Sequence, residues 1–142
     1  MRKRRIAALF SVSVMTSVMF TGALPVLAQA EAASLIVSIS SGDGYGTAQT
    51  TGYSRWTGRM HGDLTSRKGA KVYVSGKIVF DGNTDDVCGR MTGNVTATAG
   101  QVVDGSCTGS GQLIGTPSGL EYRVCKDQFG PDPCGAWSAK SG

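Results

Sequence analysis

The sequence predicts an all-β domain, a small antiparallel β-sandwich or partly open barrel stabilised by two disulfides. Three observations lead there. Apolar and polar residues alternate at a period of two in several short runs. Clusters of Gly, Ser, Asn, Asp and Pro interrupt those runs at short intervals, and no stretch sustains a helical period or offers a helix cap. Four cysteines follow an N-terminal segment with the build of an export signal.

That segment comes first in chain order. Arg2, Lys3, Arg4 and Arg5 form a basic n-region, Ile6 to Phe20 is an apolar run, and Ala28-Gln29-Ala30 supplies the small residues a signal peptidase accepts. Residues 1–30 read as a cleavable signal peptide and 31–142 as a single secreted domain; cleavage after Ala32 fits the same small-x-small pattern. Thr21, Gly22 and Pro25 break the apolar run before it reaches the length of a stable membrane span. The polar stretch Ser138–Gly142 carries no anchor, so free extracellular release without a membrane association is expected.

Export changes how the charge is read. Taking the four n-region cations from the fourteen Lys and Arg leaves ten, against ten Asp and Glu that all lie from Glu31 onward. The mature chain is neutral, and the net charge of +4 belongs to the leader. No electrostatic footprint for nucleic acid is left. A domain of roughly 110 residues buries about two-thirds of its unfolded surface. With 21 glycines in the chain the core is thin and the unfolded entropy high, so covalent support is expected.

Cys88, Cys107, Cys125 and Cys134 leave no odd thiol. Pairing as Cys88–Cys107 and Cys125–Cys134 is favoured because each bridge then closes one hairpin-like, turn-rich segment, although spacing leaves the other two connectivities open. A zinc site lacks support, since there is no Cys-x-x-Cys pair and the single His61 lies far upstream.

Ser34–Ser40 reads as a first strand with Leu35, Val37 and Ile39 on one face. Thr47–Gly58 mixes strand formers with glycines and fits a β-ribbon or an ordered loop. Lys71–Phe80 carries the clearest alternation. Val72, Val74, Gly76, Ile78 and Phe80 face the core, while Lys71, Tyr73, Ser75 and Lys77 face water. Gly76 at its centre marks a bulge or a close crossing by another backbone. Asp81-Gly82-Asn83 turns the chain, Met91–Ala99 reads as a strand with Gln101–Cys107 as its returning partner, and Leu120, Tyr122 and Val124 mark a last strand. Gly-Tyr-Gly, Thr-Gly and Pro-Ser-Gly are read as turns, giving six to nine strands in all.

Chemistry-bearing patterns are sparse. Asp81–Asp86 places oxygen ligands as a calcium loop begins, but Asp86 stands where such a loop needs glycine and no glutamate follows at the closing position, so an Asp/Asn-rich turn accounts for it. His61 beside Asp63 is the one histidine–carboxylate neighbourhood, without a nucleophile elbow, zinc-protease motif or phosphate loop. No cofactor or metal is expected.

Two binding features stand out instead. Lys126, Asp127, Gln128 and Phe129 open a loop closed by Cys125 and Cys134 and stiffened by Pro131 and Pro133, with Phe129 either an exposed anchor or folded onto the core. Tyr53, Trp56 and Tyr73, with Tyr45 and Trp137, could form an aromatic face for a sugar ring or serve as cross-strand packing. The expected function is a non-catalytic binding module for an extracellular protein or glycan. An inhibitor of a secreted hydrolase and a small hydrolase are the alternatives.

Overall fold

A computed structural model describes residues 34–81 and 85–142. The expected signal segment, residues 1–30, lies outside the described residues, as do Gly82, Asn83 and Thr84 at the centre of the Asp-rich turn. Seven strands follow in order: β1 (Val37–Ser40), β2 (Gly44–Tyr53), β3 (Thr57–Ser66), β4 (Val72–Phe80), β5 (Asp86–Arg90), β6 (Gln101–Thr108) and β7 (Pro117–Lys126). They form two antiparallel sheets, β1-β2-β3-β6 and β5-β4-β7, rather than a closed barrel. The described residues contain no helix long and apolar enough to cross a membrane.

Alternation builds the core. Val37 and Ile39 of β1, Ala48 of β2, and Met60 and Leu64 of β3 point inward from the larger sheet. Val72, Val74, Ile78 and Phe80 of β4 meet them, flanked by Leu120, Tyr122 and Val124 of β7. Gly76 sits at a register shift between β4 and β5, and a Cβ there would lie 2.2 Å from the sulfur of Met91. The bulge is present, whereas the close neighbour of that glycine is the Met91 side chain and not a crossing backbone.

Four sequence expectations are corrected. Leu35 is exposed, because β1 begins only at Val37. Met91–Ala99 is not a strand. Met91 N donates to Val74 O, Val74 N donates to Thr92 Oγ1, and Val95 alone bridges Val72, so the segment carries the chain from one sheet to the other. Gln101–Thr108 therefore pairs with β3. Gly44-Tyr45-Gly46 and Pro117-Ser118-Gly119 are not turns but the starts of β2 and β7; the inward-facing Gly44 leaves room beside Val72, and the second motif sits at a register shift.

The outward face of β4 is also not wet. Tyr73 is 8% exposed and Ser75 4%. Arg90 lies over the Tyr73 ring and Asp132 accepts its hydroxyl, while residues 133–141 pair along the free edge of β7: Lys126 N donates to Pro133 O, Gly135 N to Val124 O, and Leu120 and Ser141 exchange backbone bonds. This stretch carries Trp137 over Arg123, at 4.2 Å from the ring centre.

Both disulfides form, Cys88–Cys107 and Cys125–Cys134. The second closes a local loop as expected, but the first does not close a hairpin. It joins β5 at the edge of one sheet to β6 at the edge of the other, stapling the sandwich together. Beneath the tail a buried hydroxyl network ties three parts of the chain. Thr50 Oγ1 donates to Ser141 O (2.7 Å), which leaves the Tyr122 hydroxyl as donor to Thr50 (2.9 Å), and Ser141 Oγ donates to Leu35 O (2.6 Å). Burial pushes the Tyr122 hydroxyl up to about 12.

Candidate functional site

The loop between Cys125 and Cys134 projects from the end of the sandwich that also holds the β1–β2 turn and the β3–β4 connection. Its base is fixed from several sides. Asp127 N donates to Lys71 O at 2.8 Å, and Lys126 pairs with Asp43 at 3.5 Å. Inside the loop, Gln128 N donates to Asp132 Oδ1 and Gln128 Nε2 to Pro131 O, both at 3.2 Å. These two bonds fold residues 128–132 into a bend rather than an extended strand. Gly130 follows Phe129 with φ +95°, a backbone that suits glycine.

A cluster on the outer face of the smaller sheet holds the loop down. Tyr73 donates its hydroxyl to Asp132 Oδ2 at 2.8 Å, and Arg90 lies over the Tyr73 ring at 3.8 Å while reaching Asp127 (3.4 Å) and Asp132 (3.8 Å). Asn94 donates to Asp127 as well. The Asn94 bond, with the charges of Arg90 and Lys71, holds the Asp127 carboxyl below its ordinary range. Burial and the neighbouring Asp132 raise the Tyr73 phenol above its own, with Arg90 opposing. Two carboxylates, one guanidinium and one phenol thus clamp the loop to β4 and β5.

The clamp leaves Phe129 without contacts on the core. Its side chain is fully exposed, so of its two placements the chain adopts the projecting one. A rigid loop carrying an apolar ring into water loses little conformational freedom when that ring is buried by a partner. Aromatic anchors on such supports dominate binding energies elsewhere.

The other sequence candidates are dispersed. Trp56, 57% exposed, sits in the β2–β3 turn at the opposite end, its ring against Gly111. Tyr53 packs partly buried against the core near Gly142, and Tyr73 lies on the outer face of the other sheet beneath Arg90. Tyr53, Trp56 and Tyr73 do not share a face. Tyr45 lies beside Arg67 and Trp137 over Arg123, so each is a partner for a cation.

His61 pairs not with its neighbour in sequence, Asp63, but with Asp104 across the β3–β6 ladder, Nδ1 to Oδ1 at 2.5 Å. The pair stands on the exposed face of the larger sheet, and among the described residues no hydroxyl or thiol is bonded to His61. In the Asp-rich turn, Asp86 is buried and accepts bonds from Ser110 N, Ser110 Oγ and Gly111 N, while Asp85 pairs with Lys77. Both carboxylates thus have protein partners, and no cluster of three or more His, Cys, Asp or Glu is placed to hold a metal among the described residues.

The residues missed in the sequence are Arg90, Asn94 and Asp132. Arg90 and Asn94 lie more than thirty positions from the loop they hold, and only strand order brings them there. Comparison with protein-family models, curated proteins and solved structures finds no match to this chain, so its function has to be argued from this geometry.

Proposed function

We propose that this is a secreted, non-catalytic module that binds an extracellular protein through the loop Lys126–Pro133, with Phe129 as the anchor. The observation that carries the reading is a fully exposed phenylalanine at the tip of a loop fixed by a disulfide, two internal hydrogen bonds and the Arg90–Tyr73–Asp132 clamp. A ring that only filled space would turn inward and gain about 2 kcal/mol from leaving water. Holding it outward against that gain is what a binding anchor requires. Export is supported by the leader Met1–Ala30 and by the pairing of all four cysteines.

A protein partner is favoured over a glycan because the aromatic residues do not assemble into a platform. Inhibition of a secreted hydrolase is the second reading, favoured by the same restrained loop. The bend at Phe129-Gly130 disfavours lying in a protease cleft as an extended substrate strand, so inhibition would work by plugging a pocket with the ring.

The test is a binding screen of the mature protein against secreted proteins, with a panel of secreted proteases and glycosidases assayed in parallel. The expected result is a partner whose affinity falls by at least about tenfold, or 1.4 kcal/mol, for Phe129→Ala and is unchanged for Trp56→Ala. A partner bound equally well by Phe129→Ala refutes the anchor. Inhibition of an enzyme, lost in the same variant, selects the second reading.

A further inference from the structure

At the end of the sandwich that carries the loop, the surface forms an open cleft of about 600 Å³. Gly42 and Asp43 of the β1–β2 turn form one side, the Arg67–Ala70 turn forms another, and Lys126 closes the third. Ala70 N donates to Arg67 O at 3.2 Å, with Lys68 at φ 57° and Gly69 at φ 70°. Left-handed backbone at both central positions favours Asn-Gly or Gly-Gly. Lys68 is the one non-glycine residue with positive φ among those described, so a long cationic side chain occupies a position whose backbone favours Gly, Asn or Asp.

The cations here outnumber the carboxylates. Lys126 has Asp43 as its partner, whereas Arg67 donates to the Ser41 carbonyl and stacks over Tyr45 at 4.9 Å. Among the described residues neither Arg67 nor Lys68 has a carboxylate within ion-pair distance. On the neighbouring sheet face the balance is different: Arg90 reaches Asp127 and Asp132, and Lys77 reaches Asp85 and Glu121. An open cleft with two uncompensated cations on a neutral mature chain concentrates positive potential at one place. Lys126 lines this cleft and also opens the disulfide loop, so the cleft and Phe129 lie on one continuous end of the molecule.

We propose that this cleft receives the carboxylates of an acidic peptide segment, carried by the same partner protein whose apolar pocket takes Phe129. The identity of the carrier rests on the loop being the binding face; the affinity of the cleft for carboxylates does not. Arg67 and Lys68 on one side and Lys126 on another suit the side chains of successive acidic residues, with the Asp43 carboxylate of the third side held by Lys126, and Phe129, three residues beyond Lys126 on the same loop, supplies the separate apolar contact to the partner.

The experiment titrates the mature protein with an oligoglutamate peptide at low salt while recording backbone amide resonances, with oligolysine and inorganic sulfate as comparison probes. Oligoglutamate is expected to shift the amides of Gly42, Lys68, Gly69, Ala70 and Lys126, and added salt to weaken it. Lys68→Asn removes the charge while suiting the left-handed turn; it should bind the peptide about fivefold more weakly and melt no lower than wild type. Phe129→Ala should leave the peptide affinity unchanged. Shifts scattered over the surface, or full affinity in Lys68→Asn, overturn the cleft. Sulfate binding at the same residues as tightly as the peptide overturns the peptide assignment. Loss of partner binding in Phe129→Ala alongside failure of the peptide removes the cleft and keeps the loop; the opposite pair of results removes the loop and keeps the cleft.

Discussion

The two disulfides should differ in what their removal costs, and the difference can be worked from where they sit. Cys88–Cys107 spans 19 residues and Cys125–Cys134 spans 9. On the chain-entropy account these loops are worth about 3.2 and about 2.6 kcal/mol respectively at room temperature. Native-state consequences widen the gap. After Cys125→Ala with Cys134→Ala, the segment still donates and accepts along β7 through Lys126–Pro133 and Gly135–Val124, so the edge stays paired. After Cys88→Ala with Cys107→Ala, β5 and β6 lose the bond that crosses between sheets, and Cys107 leaves a small void where it is 8% exposed. That adds about 1 kcal/mol. Removal of Cys88–Cys107 should therefore lower the melting temperature by about 15 °C and removal of Cys125–Cys134 by about 10 °C, given a few degrees per kcal/mol for a domain of this size. Differential scanning calorimetry of wild type and both double variants checks the order. A larger loss from Cys125/Cys134, or no loss from Cys88/Cys107, refutes the view that the inter-sheet bridge is the principal staple.

Tyr122 governs alkaline stability. Its phenol ionises near 10 in the unfolded chain and near 12 in the fold, so nothing is lost below pH 10 and stability falls by about 1.4 kcal/mol per pH unit between the two values; Tyr122→Phe should flatten that slope in denaturant titrations at successive pH. Thr50→Val removes the acceptor for Tyr122 and the donor to Ser141, and should cost about 2–3 kcal/mol in urea unfolding, with faster amide exchange around Leu120 and Ser141. Gly76→Ala forces Met91 off its site and should cost about 1–3 kcal/mol, part of it recovered by adding Met91→Ala, as read by thermal denaturation. Phe129→Ala should change stability by no more than about 0.5 kcal/mol, because the ring makes no core contact; a larger loss shows that it packs inward.

What could be read from the sequence was whatever depends on local period. Val72, Val74, Ile78 and Phe80 lie inward because successive residues of a strand must face opposite ways, and that constraint is visible without knowing any neighbour. The inward set of β7 follows by the same rule. Period cannot say what covers the other side. Period alone puts Tyr73 and Ser75 in water, because nothing local reveals that Arg90 and Asp132 come to lie against that face. Met91–Ala99 has strand composition yet crosses between sheets, since pairing partners are chosen by the whole fold. The same limit hid the partner of His61, which sits 43 positions away, and the clamp of Arg90 on the loop. The loop itself was legible, since two cysteines and two prolines restrict it wherever it lies. The direction of Phe129 was not, because it depends on the bend that Gln128 and Asp132 make together.

The bond from Ser141 to Leu35 spans 106 positions, and it has a bearing on the order in which the molecule assembles. A fold whose seams join distant stretches must wait for large loops to close, and such topologies acquire their shape slowly. During that interval the two thiols nine positions apart can find each other early, whereas Cys88 and Cys107 gain a fixed mutual distance only once both sheets have come together. Oxidation should thus proceed stepwise, with the short cycle first and the long one as the final latch, and a chain caught between the two steps would carry a closed loop that Arg90 and Tyr73 had yet to clamp.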